Sequence, residues 1–269
     1  MISTGVEARI SANGSGAGAF VRSDVTVALV LMFVAVLTRW RALSVSFLAD
    51  DFLCLDYLHK IFNGQPDLFW QRMISPWQDP HVQLLYRPLA DVVLCFDYAC
   101  WAANASGYHL TNLVLHALSV AVLYALVRLV LSLVAVGNSR LPAALVALLF
   151  SVNPLWTESV VWIVGRMDLL CCLFFLGTLA SFLQYSRQLV EGGNGAFKQQ
   201  DLLALRNGWR NIKSEVRSDR VWLVLSLVLY ALALGSKEVS VVLRAVLVFS
   251  DGVLPVWGGV DLPGSKLVS

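Results

Sequence analysis

Long apolar runs decide what this chain can fold into before any motif is read. A bilayer core about 30 Å thick asks for about 20 helical residues, and the runs at 25–48, 110–136 and 169–186 meet that demand with few charges. Two further runs fall short: 141–152 stops at Asn153 and Pro154, and 221–234 stops at Gly235, Ser236, Lys237 and Glu238. At 1.5 Å per residue these reach only about 18 and 21 Å, so each ends in polar residues at membrane depth. A last run covers 239–250. Composition agrees, with 58% hydrophobic and 14% charged residues against about 25% charged in soluble domains. The chain is therefore read as an all-α integral membrane protein, a multi-span helical bundle with a long first outer loop.

Lysine and arginine set the orientation. The stretch 187–220 carries Arg187, Lys198, Arg206, Arg210, Lys213, Arg217 and Arg220, whereas 49–107 carries only Lys60, Arg72 and Arg87 beside many aspartates. The first is expected to be a cytoplasmic loop and the second an outer loop. The membrane domain then covers 24–251. It is preceded by a Gly, Ala and Ser rich cytoplasmic terminus, 1–23, expected to be disordered, and followed by a Gly and Pro rich tail, 252–269, that reads as the end of a truncated piece. The first apolar run leads into Thr38, Arg39, Trp40 and Arg41 rather than a small-residue cleavage site, so it is a retained span.

Several function classes drop out. A net charge of +2 without a basic aromatic run gives nucleic acid no footprint. The five cysteines fit neither zinc spacing nor a paired framework and read as free thiols. The sequons at Asn13 and Asn104 are weak, one cytoplasmic on this topology and the other close to the membrane.

What remains is charge where lipid should forbid it. FLADDFLCLDY, 47–57, sets Asp50 and Asp51 at the outer end of the first span. Acids at the membrane edge are costly and tend to be functional, although a solvated helix end is an equal reading. In YRPL, Arg87 precedes a helix-starting Pro88, and its guanidinium fork suits phosphate oxygens; pairing with Asp91 one turn on is as good an explanation. In GYHLTNLVLHAL, His109, Asn112 and His116 share one stripe of the second span, and interhelical hydrogen bonding accounts for them better than a metal site. NPLWTESVVWIVGRMD reads as a re-entrant turn carrying Glu158, Arg166 and Asp168 with a short helix over 156–164, and Glu158 and Arg166 could simply neutralise each other. In GSKE, Lys237 offers a point charge to phosphate with Glu238 to hold it, or the two form a structural ion pair. On the expected topology all these charges collect at one face, around an outward polar cavity.

The order LADDF, YRPL, GYHLTNLVLHAL, NPLWTESVVWIVGRMD and SKEVSVVL resembles membrane glycosyltransferases of the GT-C fold. It is most similar to the family of transmembrane proteins with tetratricopeptide repeats that act as O-mannosyltransferases, and to their bacterial relatives, over roughly 30–251. The resemblance implies inverting transfer of a mannose-like sugar from a polyprenyl-phosphate donor in the membrane to a hydroxyl of a protein or glycan acceptor. It places the site on the periplasmic or lumenal face of a bacterial inner membrane or the endoplasmic reticulum. It makes Asp50, Asp51 and Glu158 the catalytic candidates, one of the acid pair being the general base. Arg87, Arg166 and Lys237 are the donor phosphate holders, with His109, Asn112, His116, Asp168 and Glu238 in support. A divalent metal is left open, since paired carboxylates can hold magnesium or manganese. Two other readings stand beside this one: a lipid-binding transporter or flippase-like protein without chemistry, and an inactive truncated scaffold.

Overall fold

The computed structural model describes residues 23–76, 86–134, 137–195 and 209–247, with side chains described throughout except in 189–219. All regular structure among these residues is helical. Helix α1 is Ser23–Ser44, its last turn, Trp40–Ser44, tightened to 3-10 geometry. There follow α2 (Asp51–Phe62), α3 (Asp67–Ile74), α4 (Pro88–Trp101), α5 (Ala105–Leu133), α6 (Arg140–Val152), α7 (Trp156–Val161), α8 (Arg166–Gly195), α9 (Trp209–Ser236) and a 3-10 turn, Glu238–Val242.

Among the described residues three helices are long and apolar enough to cross a membrane: α1, α5 and the Arg166–Gln188 part of α8. Shorter apolar helices are α6 and the Arg220–Ser236 part of α9. Their outward faces carry Phe33, Leu37, Leu145, Leu149, Val224 and Leu227 exposed, a surface tolerable only against lipid or further helices. The protein is an all-α membrane protein. Small residues let the spans approach closely: Ala35, Ala117, Ala143 and Ala147 join Leu31, Val120 and Tyr124 where α1, α5 and α6 meet. Gly177 of α8 lies against Leu229 of α9, and Ser226 donates to the Thr178 carbonyl at 3.3 Å.

Element boundaries differ instructively from the sequence reading. The first span ends at Ser44 rather than 48, because Val45 is already extended at φ −81° and ψ 139°; Ala49, at φ 43°, then turns the chain into α2 through a left-handed conformation that helices of L-residues do not propagate. The expected outer loop, 49–107, contains α2, α3 and α4. Helix α4 begins with Pro88 in its first turn, where a missing N–H costs nothing. Helix α6 stops at Val152 because Pro154 biases the preceding residue away from helix, and the short helix of the re-entrant stretch ends at Val161 rather than 164. The described part of the expected run 239–250 is the 3-10 turn and helical residues 243–247. The expectations for 1–22, including the Asn13 sequon, and for the tail 252–269 lie outside the described residues.

Candidate active site

The acid turn is built by its own side chain. Asp51 is 1% exposed. Its Oδ2 accepts the Leu48 N–H at 2.9 Å, and its Oδ1 accepts the Val164 N–H, 113 residues away, at 3.1 Å. Burial pushes the Asp51 carboxyl above the usual carboxylate range, and the backbone donors pull the other way. Asp50, one residue earlier, is exposed at the amino end of α2, with no capping bond from its side chain. The two aspartates therefore do different work: Asp51 ties the turn after α1 to the turn before α8, and Asp50 is left facing outward. The unfavourable φ of Ala49, a conformation that persists only when its surroundings enforce it, sits beside both.

The polar stripe of α5 satisfies backbone that the broken helices leave open. The Nε2–H of His109 meets the Val45 carbonyl at 3.0 Å just past α1. Asn112 donates to the carbonyls of Val160 at 3.2 Å and Trp162 at 3.3 Å, at the carboxyl end of α7. The Nε2–H of His116 meets the Ser151 carbonyl at 3.3 Å, at the end of α6. Arg39 joins it there, donating to the carbonyls of Ser151 and, at 2.6 Å, Asn153. A cation at a helix carboxyl terminus also meets the negative end of the helix dipole. All four side chains are buried, and they hold irregular backbone that lipid alone could not.

The three nominated cations part company. Arg87 grips Glu238 with two donors, Nη2 to Oε1 at 2.6 Å and Nε to Oε2 at 3.1 Å, and its Nη1 reaches the Met167 sulfur at 2.8 Å. Lys237, next along the chain from Glu238, pairs with Asp168. These four charges form one cluster where the start of α4, the start of α8 and the end of α9 meet, with Gly235 of α9 lying beside Pro88 and Leu89 of α4. The Arg87 contact holds the Glu238 carboxyl below its ordinary range. Arg166 points elsewhere. It is 0% exposed and faces Asp97, also 0% exposed, at 2.6 Å. Its Nη2 donates to the Tyr108 carbonyl at 3.3 Å. A fully enclosed guanidinium is an internal brace.

Each pairing suggested by sequence nearness is replaced by one across elements. Asp91 pairs with Arg72 of α3 at 3.0 Å, not with Arg87; Arg166 pairs with Asp97, not Glu158. Glu158 is exposed on α7 with no side-chain partner among the described residues. Asp97 and the Arg72–Asp91 pairing are not read from the sequence, although two aspartates inside the apolar helical stretch 88–101 signal that each needs a buried cation. Residues 164–168 join the halves of the site: Val164 holds Asp51, Met167 touches Arg87, and Asp168 holds Lys237. Among the described residues no group of three or more His, Cys, Asp or Glu is placed to hold a metal ion.

Comparison with known proteins finds sequence relatives. The chain is 31% identical over 224 residues to protein O-mannosyl-transferase TMTC4 of Mus musculus, a match covering 78% of this chain and 27% of that protein. It is 35% identical over 140 residues to protein O-mannosyl-transferase Tmtc3 of Drosophila melanogaster, 46% of this chain and 14% of that one. It is 38% identical over 108 residues to protein O-mannosyl-transferase TMTC1 of Homo sapiens, 40% and 11% respectively. The chain thus spans at most 27% of the length of these three relatives. No family model matches the chain, and no solved structure matches it.

Proposed function

Because this chain is a homologue of the TMTC protein O-mannosyl-transferases, we propose that it carries the acid and phosphate-holding side of a membrane mannosyltransferase. The substrates are a polyprenyl-phosphate sugar in the bilayer and a protein hydroxyl at the lumenal or periplasmic surface. The acceptor oxygen attacks the anomeric carbon from the face opposite the phosphate, and its proton passes to the Asp50 carboxylate. The bond from the anomeric carbon to the phosphate oxygen breaks as the new one forms, so the configuration inverts. Polyprenyl phosphate departs with the bonding pair. Its charge grows beside Arg87 and Lys237, which therefore stabilise the transition state more than the bound donor. Asp51 positions Asp50 and does not itself touch the acceptor. Glu158, exposed and unpaired, is free to hold the acceptor. Arg166 has no part in binding the phosphate.

The observation that carries this reading is the single short segment 164–168, which contacts both the acid turn and the cation cluster. A hydroxyl between them would have a base on one side and a leaving group on the other. The test is Asp50→Asn in the full-length protein, assayed for transfer from polyprenyl-phosphate mannose. Donor binding should persist while turnover falls by about 10²-fold or more. Unchanged turnover would remove Asp50 as the base. Donor binding through Arg87 and Lys237 in a wild-type protein that transfers no sugar would favour a lipid-binding transporter.

A further inference from the structure

The cations assigned to phosphate are each matched by a carboxylate. Arg87 with Glu238 and Lys237 with Asp168 sum to zero, and the two pairs are continuous, since Lys237 and Glu238 are chain neighbours and Met167, beside Asp168, accepts from Arg87. Two cations placed only to attract an anion would be left unopposed. Here the acids stay within reach while remaining accessible themselves: Glu238 is 55% exposed and Asp168 43%, against 13% for Arg87 and 25% for Lys237. Beside them Val239, Val241 and Val242 are exposed and apolar, a surface for a hydrocarbon tail rather than for water.

From this arrangement we infer that Glu238 and Asp168 determine which phosphate the site accepts, admitting a lipid phosphodiester with one negative charge and rejecting a lipid diphosphate. The inference rests on Arg87 and Lys237 being the phosphate holders. A single charge shared between the two cations leaves the cluster at −1, with each acid still near a cation. A diphosphate adds at least a second charge within a few ångströms of two fixed carboxylates, and like charges set against one another in a binding site repel and suppress the wrong ligand. Specificity here comes from the repulsive element as much as from the attractive one.

The experiment measures binding of a polyprenyl-phosphate sugar and of polyprenyl diphosphate to the full-length protein in nanodiscs at pH 7.5. Wild type should prefer the phosphodiester by about tenfold or more, equivalent to about 1.4 kcal/mol. Glu238→Gln with Asp168→Asn should erase or invert that ratio by strengthening diphosphate binding, while Glu238→Asp, which keeps the charge, should retain it. A ratio unchanged in the doubly neutral variant, in a protein whose binding still depends on Arg87, overturns the inference alone. Binding indifferent to Arg87→Gln and Lys237→Gln overturns the phosphate assignment beneath it.

Discussion

Asp97 of α4 and Arg166 of α8 face each other at 2.6 Å with no solvent exposure on either side chain. Their charges are close, yet the guanidinium N–H is not aligned on the carboxylate oxygen as a hydrogen bond. Other contacts fix the pair: the Thr111 hydroxyl donates to Asp97 at 2.7 Å, and Arg166 donates to the Ile163 and Tyr108 carbonyls at 3.3 Å each. The pair thereby locks α4 and α8 onto α5. Removing one member of such a pair strands a buried charge and costs about 3–5 kcal/mol. Arg166→Gln and Asp97→Asn should each lower the unfolding midpoint of the detergent-solubilised protein markedly, and an apolar double replacement should recover much of the loss. A stable Arg166→Gln protein that fails only in donor binding would restore Arg166 to the phosphate site.

The adjacent acids, Asp50 and Asp51, should separate activity from stability. In Asp51→Asn the amide keeps one acceptor oxygen, so either the Leu48 or the Val164 N–H loses its carboxylate partner. The cost of a buried unsatisfied donor is about 1–3 kcal/mol. Asp50→Asn changes an exposed side chain without a capping role, and its stability should stay within about 0.5 kcal/mol of wild type while sugar transfer is lost. Chemical denaturation and transfer assays on the same preparations distinguish the two. Equal destabilisation by both substitutions would contradict the division of labour.

Much of this architecture was legible in the sequence, and what escaped follows one pattern. The apolar runs foretold the helices of the bundle because lipid leaves the backbone no other way to satisfy itself, and Pro154 marked the break after α6. Charge partners were not legible. Arg87 lies one turn from Asp91 in sequence yet binds Glu238, 151 residues away, since the start of α4 packs against the end of α9 and its acid side turns toward Arg72 of α3. The left-handed residue at Ala49 was equally hidden, because alanine announces no such conformation; the buried Asp51 that accompanies it exists only once α7 and α8 are docked. Nothing near Arg39 in the chain announces its partners either, which are the carbonyls of Ser151 and Asn153, more than a hundred residues away.

Acid should loosen the cluster of Arg87, Glu238, Lys237 and Asp168 before it unfolds the bundle. The Arg87 contact lowers the Glu238 pKa from its ordinary 4.5. A depressed carboxyl contributes stability that is fully present above the unfolded value and lost as pH falls through the folded one. Hydrogen exchange at 237–242 is therefore expected to be slow and constant from neutral pH down to about 4.5, after correction for its intrinsic pH dependence, and to accelerate below that. Glu238→Gln should abolish the acceleration. An equally steep change in the variant would assign the transition to another group.

Gly165 offers the sharpest check on the link between the acid turn and α8. A Cβ at this position would lie 2.9 Å from the Ser159 Cα and 2.9 Å from the Trp162 carbonyl oxygen, both of them backbone, so the chain itself must move to admit it. The neighbouring N–H, that of Val164, is the one Asp51 accepts. Gly165→Ala should therefore cost stability on the scale of an overpacked core, about 1–3 kcal/mol, and should depress turnover further by shifting the donor that fixes Asp51. Gly177→Ala provides the control: its Cβ would meet the Leu229 Cδ1 at 3.2 Å, the far end of a side chain that can turn aside. That variant should unfold close to wild type and keep its transfer rate. Comparable losses in both would show that the turn before α8 is not the rigid joint on which Asp50 depends.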